Sequence, residues 1–337
     1  MKSMFSNNKE TKIINIKLPW VEKYRPTNTN DILLDSFIKE KINKMIESDI
    51  IPNMIITGEP GTGKTSTILF LAKNKYEDKY SEYVLELNAS DDRGLTIINN
   101  TIQPFCKKKI DEKYNHKLII LDEADSITHK AQNLLSNIIA EYRKNTRFVF
   151  ICNDCSQIIE SIQSRCMIIK YPKISTDNLF NKIQYICHEE NIQYNDDSIN
   201  TLLFVSDKDI RQTINNLECL YYSFKDLSVE NIYKLIDKPR PFYINMILQA
   251  CLDDDYKTAI NNVMLLYNKG YTPNDILLTF MKYLFEETDE NIDEGLKLQI
   301  YEIISASYIR INAGVDTLLQ LCGCISKIFI FLRQLNH

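Results

Sequence analysis

The chain has 337 residues, of which 44% are apolar and 25% are charged, and its formal net charge is −5. This length predicts more than one domain, and the composition is that of a soluble globular protein. The acidic balance excludes a protein that coats nucleic acid through overall positive charge, so any DNA contact must be local. No apolar run approaches the ~20 residues of a membrane-spanning helix, so we expect no membrane contact.

The N-terminal residues and the cysteines indicate an intracellular protein. Residues 1–11 are polar and lack the apolar core of a signal peptide, and residues 1–15 are predicted to form a disordered tail. Nine cysteines at scattered spacings do not indicate a disulfide framework. Cys152 and Cys155 form one C-x-x-C, which would suit zinc, but no second pair follows at the required spacing. We therefore expect ordinary thiols.

Five short apolar runs in the first half predict buried strands, and helical patterns lie between them. In the clearest helical pattern, apolar residues recur at helical spacing from Ala131 to Tyr142. Strands that alternate with helices predict an α/β fold with a parallel sheet, whose nucleotide lies at the carboxyl ends of the strands. The predicted strands are Met54–Thr57, Val84–Leu87, Leu118–Leu121, Arg147–Cys152 and Met167–Tyr171.

The second half of the chain is predicted to be helical. Residues 177–236 contain three helical segments, with breaks near residues 191–193 and 206–207. Two prolines within residues 238–241 interrupt the helical pattern and indicate a linker. Helical patterns then continue to His337. The prediction is an α/β nucleotide domain, a small helical domain and a terminal helical domain.

The run from Gly58 to Thr65 fits the phosphate-loop pattern G-x-x-x-x-G-K-[ST], between a predicted strand and a predicted helix. Its glycines let backbone N–H groups surround a phosphate chain, and the helix N-terminus adds positive charge. Lys64 should reach the β and γ phosphates, and the Thr65 hydroxyl should bind Mg²⁺. A chance Gly-rich turn is the alternative. The predicted nucleotide-binding residues are Gly58, Glu59, Pro60, Gly61, Thr62, Gly63, Lys64, Thr65 and Ser66.

Acidic side chains follow the predicted strand Leu118–Leu121. Asp122 suits the Mg²⁺ shell, and Glu123 suits the polarisation of a water that attacks the γ phosphate. Such acids can instead cap the next helix, which is the role we expect for Asp125. Asn153 closes the following strand and could orient the attacking water, although a turn-forming Asn is the alternative.

Five longer motifs lie at Pro19–Pro26, Glu86–Gly94, Asn145–Phe148, Ile162–Cys166 and Asp209–Gln212. Together they resemble the small subunits of replication factor C, the sliding-clamp loader within the AAA+ ATPases. The resemblance implies an AAA+ P-loop ATPase domain over residues 16–172, a helical lid domain over 173–237 and an all-helical collar domain for oligomerisation over 241–337.

The resemblance also implies a function. A heteropentameric complex of large and small subunits would use ATP and Mg²⁺ to open a PCNA-like sliding clamp and load it onto primer–template DNA for replication. DNA would be gripped by its backbone, without sequence specificity. Such proteins work in the nucleus, and a viral replication site would also fit. Two alternatives remain, namely another AAA+ DNA motor or helicase loader, or a structural subunit that binds ATP without hydrolysing it.

Roles at the nucleotide are carried over residue by residue. Asn153 matches the sensor of the γ phosphate, and Arg211, on the third helix of the predicted lid, matches the second sensor. A lone helical Arg usually lies on a solvated face, so the second assignment depends on the motif. The residues that match the adenine-binding segment are Val21, Tyr24, Arg25 and Pro26.

Two further arginines gain roles through the resemblance. Arg165, within Ser-Arg-Cys, matches the arginine finger, which acts in trans on ATP bound to the neighbouring subunit. Arg93 is the candidate for a contact with DNA phosphate. Residues 107–109 are three lysines that could add to such a contact, or could form a solvated loop. Ile98, Ile102 and Phe105 share one helical face, which suits either a clamp contact or core packing.

The chain departs from the family at several positions. Glu59 stands where proline is usual, on the outer side of the phosphate loop, and Lys208 stands where glycine is common. Asn99, Ser136 and Asn137 replace basic residues, which affects expected subunit and DNA contacts. The catalytic set is nevertheless complete, so an active ATPase is expected.

Overall fold

The computed structural model describes residues 18–26, 36–48, 51–90, 95–110, 114–286 and 293–335. The chain forms two compact units, residues 1–229 and 230–337. The tail predicted over residues 1–15 lies outside the described residues. The division into ATPase, lid and collar domains stays a prediction.

The first unit contains a five-stranded parallel sheet with the order β2-β3-β4-β1-β5. The predicted parallel α/β sheet is confirmed, and each predicted strand matches the observed one to within one residue at either end. Since β1 lies between β4 and β5, the chain that leaves β1 is flanked by the ends of both neighbours. The strands are β1 Met54–Gly58, β2 Val84–Asn88, β3 Lys117–Asp122, β4 Thr146–Cys152 and β5 Met167–Tyr171.

Helices surround this sheet and continue beyond it. A π-helical turn, Ile98–Ile102, joins α5 to α6, and the two-residue strands β6 Gln193–Tyr194 and β7 Asp226–Leu227 pair with each other. The helices are α1 Trp20–Lys23, α2 Ser36–Glu47, α3 Lys64–Tyr76, α4 Tyr80–Tyr83, α5 Leu95–Ile97, α6 Gln103–Lys107, α7 His129–Glu141, α8 Glu160–Gln163, α9 Thr176–Glu189, α10 Asp196–Val205 and α11 Ile210–Phe224.

Alternate residues of the strands supply two hydrophobic clusters, because successive side chains of a strand point to opposite faces of the sheet. Met54 and Ile56 pack in one cluster with residues of α2 and α3, such as Ile42 and Leu71. Ile55 packs in the other cluster with residues of α7, such as Leu135. The sheet is thus covered on both faces, which holds the ends of its strands in fixed positions.

The face formed by Ile98, Ile102 and Phe105 is part of the second cluster. These side chains are 2%, 1% and 7% exposed. Of the two readings of this face, the structure supports core packing, because buried side chains have no surface to offer a clamp.

The second unit is helical throughout its described residues. Apart from α12 it consists of five helices around one hydrophobic core, to which residues such as Ile247, Phe280 and Ile304 contribute. The helices are α12 Val229–Leu235, which begins at the boundary between the units, α13 Pro241–Leu252, α14 Tyr256–Asn268, α15 Pro273–Glu286, α16 Glu294–Asn312 and α17 Leu318–Leu335.

Within the described ranges, α17 is the one helix that is long and apolar enough to cross a membrane by length and composition alone. A single such helix is weak evidence, since a buried core helix passes the same test. Leu321, Ile325 and Ile328 of this helix are buried in the core of the second unit. The search of the sequence for uninterrupted apolar runs did not find α17, because polar residues such as Gln320 and Lys327 interrupt its apolar sequence.

Candidate nucleotide site

The phosphate loop leaves β1 and enters α3 under tight steric constraints. Gly61 has a φ of +72°, in the left-handed region that favours glycine. A Cβ atom at Gly61 would lie 2.1 Å from Oδ1 of Asp209, and one at Gly58 would lie 2.6 Å from the carbonyl oxygen of Tyr171. The loop therefore needs glycine at both positions, because neighbouring atoms leave no room for a Cβ at either. Gly61 also needs to be glycine because of its left-handed backbone conformation.

We expect Gly61→Ala to weaken nucleotide binding by about tenfold or more, since a left-handed Ala costs ~1 kcal/mol and its Cβ would displace Asp209. Titration with a fluorescent nucleotide measures this change. Gly323→Ala is the matched control, because Gly323 lies within α17 and an added Cβ meets nothing within 4 Å. Equal affinities of the two variants would contradict the steric account.

Lys64 lies at the start of α3 and is buried. Its Nζ donates to the carbonyl oxygens of Gly58 at 2.7 Å and Glu59 at 2.8 Å, and to Oδ1 of Asn153 at 2.9 Å. Burial lowers the pKa of Lys64, and the nearby carboxylates, Asp122 among them, oppose this shift. A buried ammonium held at the loop is a fixed positive charge for an anionic phosphate.

The strand end of β3 places acids beside the loop. Thr65 Oγ1 donates to Oδ2 of Asp122 at 2.9 Å, and the backbone N–H of Glu123 donates to Oδ1 of Asp122 at 2.9 Å. Glu123 has a φ of +52° and its side chain is exposed. Such strained non-glycine conformations cluster at functional sites, where the surrounding structure maintains them.

The oxygens of Thr65 and Asp122 fit the preference of Mg²⁺ for hard oxygen ligands. Among the described residues, no group of three or more His, Cys, Asp and Glu side chains could hold a metal ion. A magnesium ion here would thus need further oxygens from phosphate and water. Burial raises the pKa of the Cys152 thiol to about 11, which disfavours the thiolate that zinc requires.

Asn153 lies beyond β4 and is held on two sides. Its backbone N–H donates to Oδ2 of Asp125 at 3.1 Å, and its carbonyl oxygen accepts from Thr57 Oγ1 at 3.0 Å. With its Oδ1 accepting from Lys64, the Asn153 amide retains its Nδ2 hydrogens for an oxygen of the nucleotide. Asp125 therefore orients Asn153. From the sequence we had expected Asp125 to cap the following helix instead.

The N-terminus of α11 reaches the phosphate loop from another direction. The carboxylate of Asp209 accepts from the backbone N–H of Arg211 at 2.8 Å and of Gln212 at 3.3 Å, which caps the helix. The same carboxylate contacts Gly61, so the cap also touches the loop. Lys208 has a φ of +58°, which explains why glycine suits this position and why Lys there is strained.

These elements surround one cavity of about 260 Å³. Most predicted residues line it, while Gly58 and Glu59 do not; Oε1 of Glu59 instead pairs with Nζ of Lys173 at 3.0 Å. The predicted residues that line the cavity are Val21, Tyr24, Arg25, Pro26, Pro60, Gly61, Thr62, Gly63, Lys64, Thr65, Ser66, Asp122, Glu123, Asn153 and Arg211.

Four residues of the lining were not predicted: Ile174, Lys182, Ile210 and Ile214. Ile210 and Ile214 are one helical turn apart on α11, so the apolar spacing around Arg211 could have indicated them. The sequence held no comparable signal for Ile174 or Lys182.

Arg165 lies away from this cavity. It is exposed and follows α8, two residues before β5 begins, at the amino edge of the sheet. The phosphate loop lies at the carboxyl edge, where Gly58 pairs with Tyr171. From Met167 to Tyr171, β5 spans about 13 Å, so Arg165 does not reach the phosphate loop of its own chain.

Other predicted residues fall outside the site. Arg93, the predicted DNA contact, lies outside the described residues. Asn99 and Asn137 are exposed, and Ser136 is buried within α7.

Two family models match the chain. The AAA model, the ATPase family associated with various cellular activities, matches residues 54–173, and the model of the replication factor C C-terminal domain matches residues 239–327. Solved structures of similar fold include the Thermotoga maritima RuvB Holliday junction branch migration motor. It has a TM-score of 0.53, 13% identity, and coverage of 78% of this chain and 91% of that chain. At this identity the likeness shows the fold alone.

Curated relatives match over almost the whole chain. Replication factor C subunit 4 of Oryza sativa is 37% identical, over 94% of each chain. Replication factor C subunit 2 of Arabidopsis thaliana is 36% identical, over 93% of each. A putative replication factor C small subunit of Acanthamoeba polyphaga mimivirus is 35% identical, over 92% of this chain and 96% of that protein. The chain, with its nucleotide-binding AAA ATPase domain, therefore belongs to the replication factor C small-subunit family.

Proposed function

We propose that this chain is an ATP-hydrolysing subunit of a heteropentameric clamp loader, which opens a PCNA-like clamp and places it on primer–template DNA. The observation that carries the proposal is a site divided between two edges of the sheet. Lys64, Asp122, Glu123 and Asn153 meet at one cavity, whereas Arg165 lies at the opposite edge. Such a site is completed by a neighbouring subunit, which suits a ring assembly.

The cavity residues divide the work on ATP. The loop and Lys64 bind the phosphates, and Val21, Tyr24 and Pro26 form the wall for adenine. Thr65 and Asp122 would hold Mg²⁺, which neutralises phosphate charge when it is bound. The Glu123 carboxylate is the base that orients and deprotonates the attacking water.

The sensors connect the nucleotide to the rest of the chain. Asn153 would donate from Nδ2 to the γ phosphate or the attacking water, since its Oδ1 is held by Lys64. Arg211 on α11 would bind the phosphates from the side of the predicted lid. This lid, residues 173–237, would follow the nucleotide and tilt against the ATPase domain, residues 16–172, while residues 241–337 would form the collar.

An acidic chain must grip DNA locally. We propose that Arg93 contacts the phosphate backbone, which explains how a chain of net charge −5 could load a clamp on any sequence. The partners would be the large and small subunits of the loader, the clamp and the DNA. A soluble protein of the nucleus or of a viral replication site would suit this role, since relatives occur in plants and in a virus.

We expect Glu123→Gln to lower ATP turnover of the assembled loader by about 10²–10⁴-fold, because the amide no longer accepts a proton from water. ATP affinity should stay unchanged, since Glu123 is not a phosphate donor. The variant loader should therefore remain on clamp and primed DNA instead of leaving it, which surface-immobilised DNA with labelled clamp would reveal.

Glu82→Gln is the matched control for this variant, because Glu82 is an exposed glutamate on α4 outside the cavity. It should behave as the unchanged chain does. Glu123→Gln with full turnover would rule out Glu123 as the base. A loader that never retains the clamp on DNA in either state would contradict the proposed function.

A further inference from the structure

Two carboxylates, those of Glu190 and Glu218, hold the segment 18–26, which contains the proposed adenine wall. Oε1 of Glu190 accepts from the phenol of Tyr24 at 2.5 Å and from Nζ of Lys23 at 2.5 Å. The Glu190 side chain is 15% exposed, against 50% for Lys23. A partly buried carboxylate that accepts from two neighbouring side chains restricts both of them.

Glu190 lies at an electrostatically unfavourable position for a carboxylate. Glu190 is the C-terminal cap of α9, where the negative end of the helix dipole disfavours a carboxylate. Lys23 and Tyr24 offset this repulsion from outside the helix. Burial, together with the hydrogen bond to Glu190, raises the pKa of Tyr24 to about 12, so the phenol keeps its proton and remains the donor.

A second attachment joins the same segment to α11. The backbone N–H of Trp20 donates to Oε2 of Glu218 at 2.9 Å. The Trp20 ring is buried, with its centroid 5.2 Å from that of Tyr221. Segment 18–26 is thereby held at the end of α9 and by the helix that carries Arg211, although 166 to 198 residues separate the bonded partners along the chain.

We propose that Glu190 is a positioning residue for the base of the nucleotide. It holds Tyr24 and its neighbours against α9, so the adenine wall moves with α9 and α11 as one body. The inference depends on the proposed function, in which ATP occupies the cavity. Affinity for the base of ATP should then depend on Glu190, whereas affinity for its phosphates should depend on the phosphate loop.

The test compares ATP with inorganic tripolyphosphate, which has the phosphates but lacks the base. Dissociation constants are measured for the full chain and its variants by displacement of a fluorescent nucleotide. Glu190→Ala should weaken ATP binding by about tenfold and leave tripolyphosphate binding unchanged. Glu190→Gln should fall between, because its amide oxygen still accepts from Tyr24. Glu189→Ala, an exposed neighbour of the same type, should match the unchanged chain.

Three results with the variants would overturn the inference. Equal weakening of both ligands by Glu190→Ala would indicate general loosening of the unit, and unchanged ATP binding would exclude a positioning role. Tyr24→Phe removes only the phenol donor, so it tests the contact even if Glu190→Ala fails to fold. Unchanged ATP affinity of Tyr24→Phe would exclude the hydrogen bond. A fourth result concerns the unchanged chain. If it bound ATP no better than tripolyphosphate, the cavity would have no adenine wall, and the proposed function rather than the role of Glu190 would be contradicted.

Discussion

Lys64→Ala is expected to lower ATP hydrolysis by about 10²–10³-fold, the usual effect of losing one preorganised donor to a charged group. The alanine removes the ammonium group that the loop carbonyl oxygens and Asn153 hold at the proposed phosphate site. It also leaves the carbonyl oxygens of Gly58 and Glu59 and the Asn153 amide without their Nζ donor. Nucleotide affinity should fall as well, because the charge acts on the bound phosphates and on the transition state alike.

Steady-state turnover and a fluorescent-nucleotide titration measure the two effects of Lys64→Ala. Lys73→Ala is the matched control, since Lys73 lies on the same helix, α3, and is exposed. Thermal unfolding of both variants shows whether the fold is retained. A folded Lys64→Ala chain that binds and hydrolyses ATP normally would contradict the phosphate role of Lys64.

Arg165→Ala is expected to reduce hydrolysis at the adjacent subunit by about 10³–10⁵-fold, the range for an arginine finger. A guanidinium stabilises the charge that develops on the γ phosphate during transfer. Arg165 lies at the amino edge of the sheet, opposite the loop of its own chain, so its own ATP site should stay intact. The isolated variant should therefore bind nucleotide with unchanged affinity.

The position of Arg165 makes the two readouts separable. Binding is measured on the isolated chain and turnover on the assembled ring. Arg165→Lys keeps the charge but loses the planar fork of donors, so it should restore only part of the rate. Loss of nucleotide binding by the isolated Arg165→Ala chain would contradict action in trans.

Patterns within single elements were predictable. The apolar runs predicted all five strands of the parallel sheet. The signal was strongest for β1, β3 and β4, because a strand buried on both faces must be apolar along its length. The edge strands β2 and β5 are only partly buried, but each still has enough apolar residues to be recognised. The phosphate loop was equally clear, since its glycines and Lys64 lie within one short segment. Arg211 was placed on the third helix after the sheet, and α11 carries it.

Contacts between distant segments were not predictable. The bond from Lys64 to Asn153 joins residues 89 apart, and it exists because β4 lies beside β1 in the sheet. Spacing along the chain does not reveal that strand order. The contact of Asp209 with Gly61 and the two hydrogen bonds of Glu190 also join segments that are far apart in the chain, so no local pattern predicts them. For Ile98 and Phe105, periodicity predicted a shared face, but only burial showed that it faces the core.

The most direct test of the central claim is the steady-state ATP turnover of the reconstituted loader, with and without clamp and primed DNA. We expect turnover to rise strongly when both are present, and we expect Lys64→Ala and Arg165→Ala to abolish this stimulation. Turnover indifferent to the clamp would contradict clamp loading and point to another AAA+ motor. Turnover that survives both substitutions would contradict catalysis by this chain and leave it a scaffold.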